Sequence, residues 1–434
     1  MKAPERATLV LAEACERFAH FGLLSILALY LTASTATGGS GWATGDALKL
    51  VGTYSAGIYA VSVVGGWLAD RVIGTWRGVK AGSIAMVAGH AILVSSQFFH
   101  AFGRWIDPQT MLYVGLSLIV LGTGLFKPNV TVLFGQAFPA EGVARERGFL
   151  LFYVGINFGS MLGPILAGGL GERVAWGWGF VAAGSASLIA CLALAIPGRR
   201  AIPVSSATIA PEAGGGSWRD VASRYRVLLA MALASVLFWT ALEQSAGLLS
   251  LYAYHHTDRF LLGFEVPATW MQSLEPLLVL AVAPAVAGLW LYLDRTGRVP
   301  GVGTRAAIGL FSLTFAFVLF VGATMERDAV GKSSLAWLVA GYLSIATAEV
   351  LIWTMSLSMV TKIAPPARSG QVMGAWYLTY ALGAFLAGRI GAEVDSWGDR
   401  VVFGVIAALT GGAALLYLLA RRRMAVWERR ALSL

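Results

Sequence analysis

The sequence predicts an all-α membrane protein, with twelve transmembrane helices arranged as two six-helix bundles. Three observations lead there. Hydrophobic residues make up 57% of the chain and charged residues 13%, where an ordinary soluble domain carries about 25% charged residues. Apolar runs long enough to cross a hydrocarbon core, roughly 20 residues each, recur from end to end. One long polar interruption divides those runs evenly. The first observation excludes a soluble fold, and the mean hydropathy of +0.71 agrees.

The expected spans lie near residues 7–31, 48–69, 79–102, 111–134, 147–170, 176–197, 225–251, 268–293, 303–324, 334–361, 369–392 and 401–420. The first is read as a retained span, because no basic leader, short apolar core and small-residue cleavage site precede a soluble domain. With the N-terminus in the cytoplasm, 22 of the 32 Lys and Arg residues fall in cytoplasmic segments and 8 on the other side, Arg17 and Lys127 lying inside spans. That bias follows the positive-inside rule and places both termini in the cytoplasm of an inner-membrane protein. It also accounts for the net charge of +9. Nucleic acid is not an expected partner, because the basic residues are spread over membrane-flanking loops rather than gathered on one face.

The polar interruption runs from Gly198 to Arg224 and contains Pro203, Pro211 and Gly214 to Gly216. A flexible stretch of that composition marks a boundary. It gives an N-terminal bundle over 1–197, a cytoplasmic linker over 198–224, and a C-terminal bundle with a basic tail over 225–434. Two such halves with polar residues near mid-bilayer suit a secondary transporter, in which one bundle rocks against the other about a central site. A nucleotide-driven pump is not expected, since the chain has no Walker phosphate loop and no soluble domain to hold a nucleotide. Cys15 and Cys191 both lie in apolar runs and read as packing residues. No cofactor or metal is expected, as no pair of acids is joined by the oxygen-rich loop of a calcium site. No nucleophile, base and orienting group share a depth, so an enzyme is not expected either.

The chemistry is carried by polar residues where lipid alone would exclude them. In the first span Glu13, Glu16, Arg17 and His20 recur at helical offsets of three and four, which puts them on one face. An ionised group at bilayer depth costs at least ~2.5 kcal/mol, so such groups line bundle interiors or wet cavities. The second span ends in Gly65-Gly66 and Asp70-Arg71, a pattern that suits close packing with interfacial charges, or a gate. Lys127, followed by Pro128 and Asn129, lies in the fourth span, and Tyr153 and Asn157 lie four apart in the fifth, where core hydrogen bonding and ligand contact are both open. The second half supplies acids beside indoles: Trp239 with Glu243, and Glu349 with Trp353, each pair four residues apart. Glu275 precedes Pro276 in the eighth span, as an interfacial or a cavity carboxylate, and Trp376 lies in the eleventh, in packing or in the cavity. Five embedded acids against two embedded bases leave a negative excess, the condition under which buried carboxylates take up protons. Protons are therefore the expected coupling ion, with sodium as the alternative.

These residues resemble the proton-dependent oligopeptide transporters of the major facilitator superfamily. The likeness rests on Glu13-x-x-Glu16-Arg17-Phe18 with Gly22, on Gly65 to Gly74, on Gly124-Leu-Phe-Lys127-Pro128-Asn129, and on Phe152-Tyr153-x-x-Ile156-Asn157. It continues through Phe238-Trp239-x-x-x-Glu243-Gln244, the Glu349 region and Met373-Gly-x-Trp376. The resemblance implies a major facilitator fold, a monomer, and proton-driven uptake of di- and tripeptides by alternating access. It implies a Lys127–Glu243 salt bridge between bundles that proton arrival at Glu243 breaks, and a second coupled cluster at Glu13, Glu16 and Arg17. It further implies that Glu349 and Asn157 hold the peptide amino terminus, that Lys127 helps bind its carboxylate, and that Tyr59, Tyr153, Trp239 and Trp376 line side-chain pockets.

The chain departs from that family at specific places. His20 and Phe21 stand where an aromatic pair, usually tyrosines, is expected; Leu24 stands where an arginine contacts the peptide carboxylate; and Glu275 stands where an asparagine precedes the proline. His20 would add a proton site that tyrosine would not. Losing a positive group and gaining an acid points to cationic or carboxylate-free substrates. An exchanger or exporter of amine or drug-like compounds on the same fold, and a membrane receptor that no longer transports, are the alternative readings.

Overall fold

The computed structural model describes residues 3–98, 107–138, 143–195, 218–363 and 369–432. Fifteen helices follow in order: α1 (Ala3–Thr32), α2 (Thr44–Leu68), α3 (Thr75–Phe98), α4 (Pro108–Gln136), α5 (Val143–Gly163), α6 (Gly169–Arg173), α7 (Trp176–Ala195), α8 (Trp218–Leu242), α9 (Leu248–His256), α10 (Met271–Arg295), α11 (Val302–Val330), α12 (Leu335–Ile363), α13 (Ser369–Ala392), α14 (Val394–Trp397) and α15 (Asp399–Leu432). Among the described residues, eleven helical stretches are long and apolar enough to cross a membrane. The 24-residue α13 occupies the remaining expected span. The molecule is thus a nearly all-helical, multi-pass membrane protein. Most of the expected linker, residues 198–217, lies outside the described residues.

The chain forms two compact units, Met1–Ser206 with Phe260–Ser273, and Ala207–Arg259 with Leu274–Leu434. In the first, α1 packs on α5 and α7, and α4 on α2 and α3. Small residues make this possible, because in lipid the attraction between helices comes from close backbone approach rather than from hydrophobic burial. On the α1–α5 seam a Cβ at Gly159 would stand 2.2 Å from the Ala14 carbonyl oxygen, and one at Gly163 2.5 Å from that of Phe18. Gly22 meets Ala167 in the same seam, so this glycine of the motif serves packing. Leu9, Met86, Phe126, Phe134 and Phe152 fill the interior beside it. In the second unit α11 packs on α12 and α15, and α8 on α13 and α15. The large apolar side chains left exposed, such as Leu150, Leu229, Leu291 and Leu419, suit a lipid-facing surface.

Helix ends and interruptions follow local chemistry. Asp107 caps α4 with Pro108 in the first turn, accepting the Thr110 N–H at 2.8 Å. That donor holds the Asp107 carboxyl below the usual carboxylate range. The tail of α2 loosens into a π-helical turn over Ala69–Ile73, closed by Gly74 at a φ of 82°. A second π-helical turn, Pro164–Gly168, separates α5 from α6, starting at a proline that cannot donate to the helical ladder.

The segment Phe260–Ser273 belongs to the first unit although the sequence around it belongs to the second. It opens as a hairpin of β2 (Phe260–Leu261) and β3 (Phe264–Glu265), following β1 (Thr257–Asp258), which pairs with β4 (Ser333–Ser334) in the second unit. Both hairpin turn residues, Leu262 and Gly263, have positive φ, the geometry that matches the right-handed twist of paired strands. Beyond it the Glu172 carboxylate accepts the N–H groups of Ala268 and Thr269, each at 3.0 Å. Trp270 Nε1 donates to the Ile165 carbonyl at 3.0 Å and Ser273 Oγ to that of Met161 at 2.7 Å. Hydrogen bonds to a charged acceptor contribute about 1.5–3 kcal/mol each. Glu172→Ala is therefore expected to release the segment, with a more than tenfold faster amide exchange at Ala268 and Thr269 and little change at α3; unchanged exchange there would show that the segment's other contacts, among them Trp270, Ser273 and the Arg173 bond to the Glu265 carbonyl, hold it without Glu172.

Candidate functional site

In the first unit the expected polar stripe is real and closed to solvent. Glu13, Glu16, Arg17 and His20 are all at most 4% exposed. Arg17 Nε donates to Glu16 at 2.5 Å and lies 3.6 Å from Glu13, so one guanidinium serves two carboxylates of its own helix. With both carboxyls ionised the three groups together carry one net negative charge. Lys127 lies within electrostatic reach of Glu13 and supplies the compensating positive charge from α4. Its Nζ stands 3.9 Å from the centre of the Tyr59 ring, a cation–π contact joining α4 to α2. His20 packs edge-on to Phe21 and is stacked against Tyr54 with ring centres 6.2 Å apart. Among the described residues His20 Nδ1, Glu13 Oε2 and Glu16 Oε1 are buried without a hydrogen-bond partner. Leu24, at the position where the resemblance implies an arginine, is a buried apolar residue.

The remaining first-unit candidates divide. Asn157 is buried, and its Nδ2 donates to the Tyr153 carbonyl at 2.9 Å, a local bond along α5. Tyr153 itself is 43% exposed. Gly65 belongs to the α2–α4 seam, where a Cβ would stand 2.2 Å from the Gly124 carbonyl oxygen, while at Gly66 the nearest atom is Pro128 Cβ at 3.5 Å. Asn129 Nδ2 donates along α4 to the Leu125 carbonyl at 2.7 Å. Asp70 and Arg71 are exposed at the π-helical turn, with Arg71 over the Trp67 ring.

The second unit gathers acids and aromatic rings. Glu243 opens a 3-10 turn after α8 and accepts the Tyr380 hydroxyl from α13. Trp239, one turn earlier, has its ring 5.4 Å from Trp353 and 3.9 Å from Tyr380. The Glu275 carboxyl, near the start of α10, lies within electrostatic reach of that of Glu349 on α12. Trp376 on α13 is buried, and its Nε1, like that of Trp239, has no hydrogen-bond partner among the described residues. Three residues outside the expected set take part: Tyr54, Tyr342 and Tyr380. Tyr380 follows Trp376 by four and Tyr342 precedes Glu349 by seven, so helical offsets carried a signal for both.

The profile described as the POT family matches residues 77–202 and 218–398. The chain belongs to the POT family. It is 29% identical over 466 residues to the uncharacterized transporter YclF of Bacillus subtilis, covering 94% of this chain and 92% of that protein. The peptide transporter YePEPT of Yersinia enterocolitica is also 29% identical, over 454 residues, covering 89% of this chain and 87% of that one. Dipeptide and tripeptide permease A of Escherichia coli is 26% identical, with coverages of 90% and 85%. Among solved structures, a crystal structure of a POT peptide transporter variant in complex with sulfate superimposes with a TM-score of 0.85 at 26% identity, covering 98% of this chain and 95% of that one. The major facilitator fold and the transporter class are thereby those of this POT protein.

Proposed function

We propose that this POT protein is a proton-coupled symporter that imports di- and tripeptides or peptide-like compounds by alternating access. The observation carrying this reading is that ionisable groups on membrane-spanning helices, buried or half-buried, form two assemblies, Glu13–Glu16–Arg17 with Lys127 in one unit and Glu243–Glu275–Glu349 in the other. Structural packing alone offers no return for the cost of holding them in lipid. Relatives named as peptide transporters support the substrate class. Glu13, Glu16, Arg17, Lys127 and Glu243, with His20, carry the proton coupling. Tyr59, Tyr153, Asn157, Trp239, Glu275, Glu349, Trp353 and Trp376 bind substrate. The two bundles span 1–197 and 225–434 in this reading, and the Lys and Arg bias favours both termini in the cytoplasm. Leu24 in place of a cation, together with the added acid Glu275, favours cationic or carboxylate-free substrates.

The test is uptake of a dipeptide panel into proteoliposomes under an imposed proton gradient, with wild type beside Glu243→Gln. A glutamine mimics the protonated acid and accepts the Tyr380 hydroxyl equally well. Gradient-driven uptake should therefore fall to background while substrate exchange at equal pH persists. Dilysine is expected to compete better than dialanine. Loss of exchange together with uptake would make Glu243 structural, and flux driven only outward would move the protein to the exporter reading.

A further inference from the structure

We propose that the hairpin over residues 260–265 is a lipid anchor, its tip seated in the headgroup layer of the leaflet at which α9 ends. Phe260 and Leu261 lie on one strand and Phe264 on the other, with Leu262 at the tip, and all four side chains are exposed. Phe260 pairs with Glu265 and Leu261 with Phe264, and residues directly opposite each other share a face. Successive residues alternate between faces, so an exposed aromatic ring stands on each face of this hairpin. A hairpin with one face on protein and the other in water keeps its wet face polar. Here neither face is suited to water.

The tip gives a second, independent sign. Leu262 is fully exposed and has a φ of 52°, the one positive φ outside glycine among the described residues. A two-residue turn with positive φ at both central positions favours Asn-Gly or Asp-Gly, and a bulky apolar side chain is a costly choice for it. Leucine therefore suits neither this backbone nor water. A lipid contact accounts for its presence.

The depth is set by residues at the base of the hairpin. The Phe264 ring lies 4.2 Å from the Arg173 guanidinium and 5.8 Å from the Trp270 ring. Arg173 closes one membrane span, Arg147–Arg173, and Trp270 lies in the first turn of another, Ala268–Arg295. Arginine and tryptophan at span ends mark the boundary between hydrocarbon and water. Leu262 is two residues beyond Phe264, a reach of at most about 7 Å. The headgroup layer on each side of a bilayer is roughly 5–8 Å thick, so the tip stays within it. The exposed carboxylates of Asp258 and Glu265 fit that layer, as do the open edges of a two-stranded hairpin. Neither would fit the hydrocarbon below.

Full-length protein in lipid nanodiscs tests the depth directly. With Cys15 and Cys191 replaced by alanine, a fluorophore is attached at Leu262→Cys and, for comparison, at Lys332→Cys, an exposed loop position of the second unit. A nitroxide placed high on the lipid acyl chain is expected to quench the fluorophore at 262 roughly threefold more than at 332, and aqueous iodide roughly threefold less. Because a fluorophore can seek lipid by itself, Leu262→Asn gives a reading without a label. Asparagine suits the turn, so amide exchange over 260–265 slows if the backbone alone decides. Loss of the lipid contact makes it faster, and an increase of roughly fivefold over wild type is expected in nanodiscs. Three results would each overturn the anchor: quenching by iodide at 262 as strong as at 332, protection there from both quenchers, which puts protein over the tip, or exchange in Leu262→Asn that is unchanged or slower.

Discussion

Arg17→Ala is expected to abolish gradient-driven uptake and to destabilise the solubilised protein more than any other removal of one charge from α1. Arg17 is 3% exposed and its guanidinium bonds Glu16, 1% exposed, while standing 3.6 Å from Glu13. Removing it leaves two carboxylates in a dry interior with no partner on their own helix. Breaking a buried ion pair by deleting one member costs about 3–5 kcal/mol, most of it from the charge left behind. Lys127, already over the Tyr59 ring, is a single compact charge on another helix and cannot take up the forked geometry. Arg17→Lys should therefore recover part of the stability and little transport. The informative variant is Arg17→Met combined with Glu16→Gln. With the charge and its nearest counter-charge both gone, the thermal midpoint is expected to return most of the way, since well-packed neutral groups replace a buried pair at little cost. Uptake is expected to stay at background. Recovery of uptake in the double variant would show the cluster to be a packing feature with no part in coupling.

The contrast between units shows what could be read from residue order and what could not. Helical offsets of three and four placed Glu13, Glu16, Arg17 and His20 on one face, and the structure buries all four. The same arithmetic paired Trp239 with Glu243 and Glu349 with Trp353, and the two indoles of those pairs do meet. Periodicity is a property of one helix, so it reaches no further. That Glu275 of α10 lies within electrostatic reach of Glu349 of α12 depends on how two helices cross, which no offset encodes. The Glu172 anchor of Phe260–Ser273 was hidden for the same reason, with partners more than ninety residues apart in sequence. Asn157 was open to core hydrogen bonding and to ligand contact, and its amide nitrogen does donate along its own helix, as short polar side chains do in apolar surroundings.

The α2–α4 seam turns the glycine pair into a sharper test, because adjacent glycines are expected to respond in opposite directions. A Cβ at Gly65 would stand 2.2 Å from the Gly124 carbonyl oxygen and 2.7 Å from its carbon, main-chain atoms that cannot swing aside. At Gly66 the nearest contact is an ordinary 3.5 Å from Pro128 Cβ. Glycine to alanine inside a helix is worth up to about 1 kcal/mol in backbone propensity. Gly66→Ala is therefore expected to raise the thermal midpoint or leave it unchanged. Gly65→Ala must push two helices apart, and forced overpacking costs about 1–3 kcal/mol or more. The effect reaches the site, because Tyr59 of α2 and Lys127 of α4 meet across the same pair of helices. A seam widened by even 1 Å draws the Lys127 ammonium off the Tyr59 ring and away from Glu13. Gly65→Ala is accordingly expected to lose transport beyond what its stability alone explains, and to lose it still when assayed well below its melting temperature. Equal midpoints and equal uptake for the two variants would mean that the helices do not approach this closely in the bilayer.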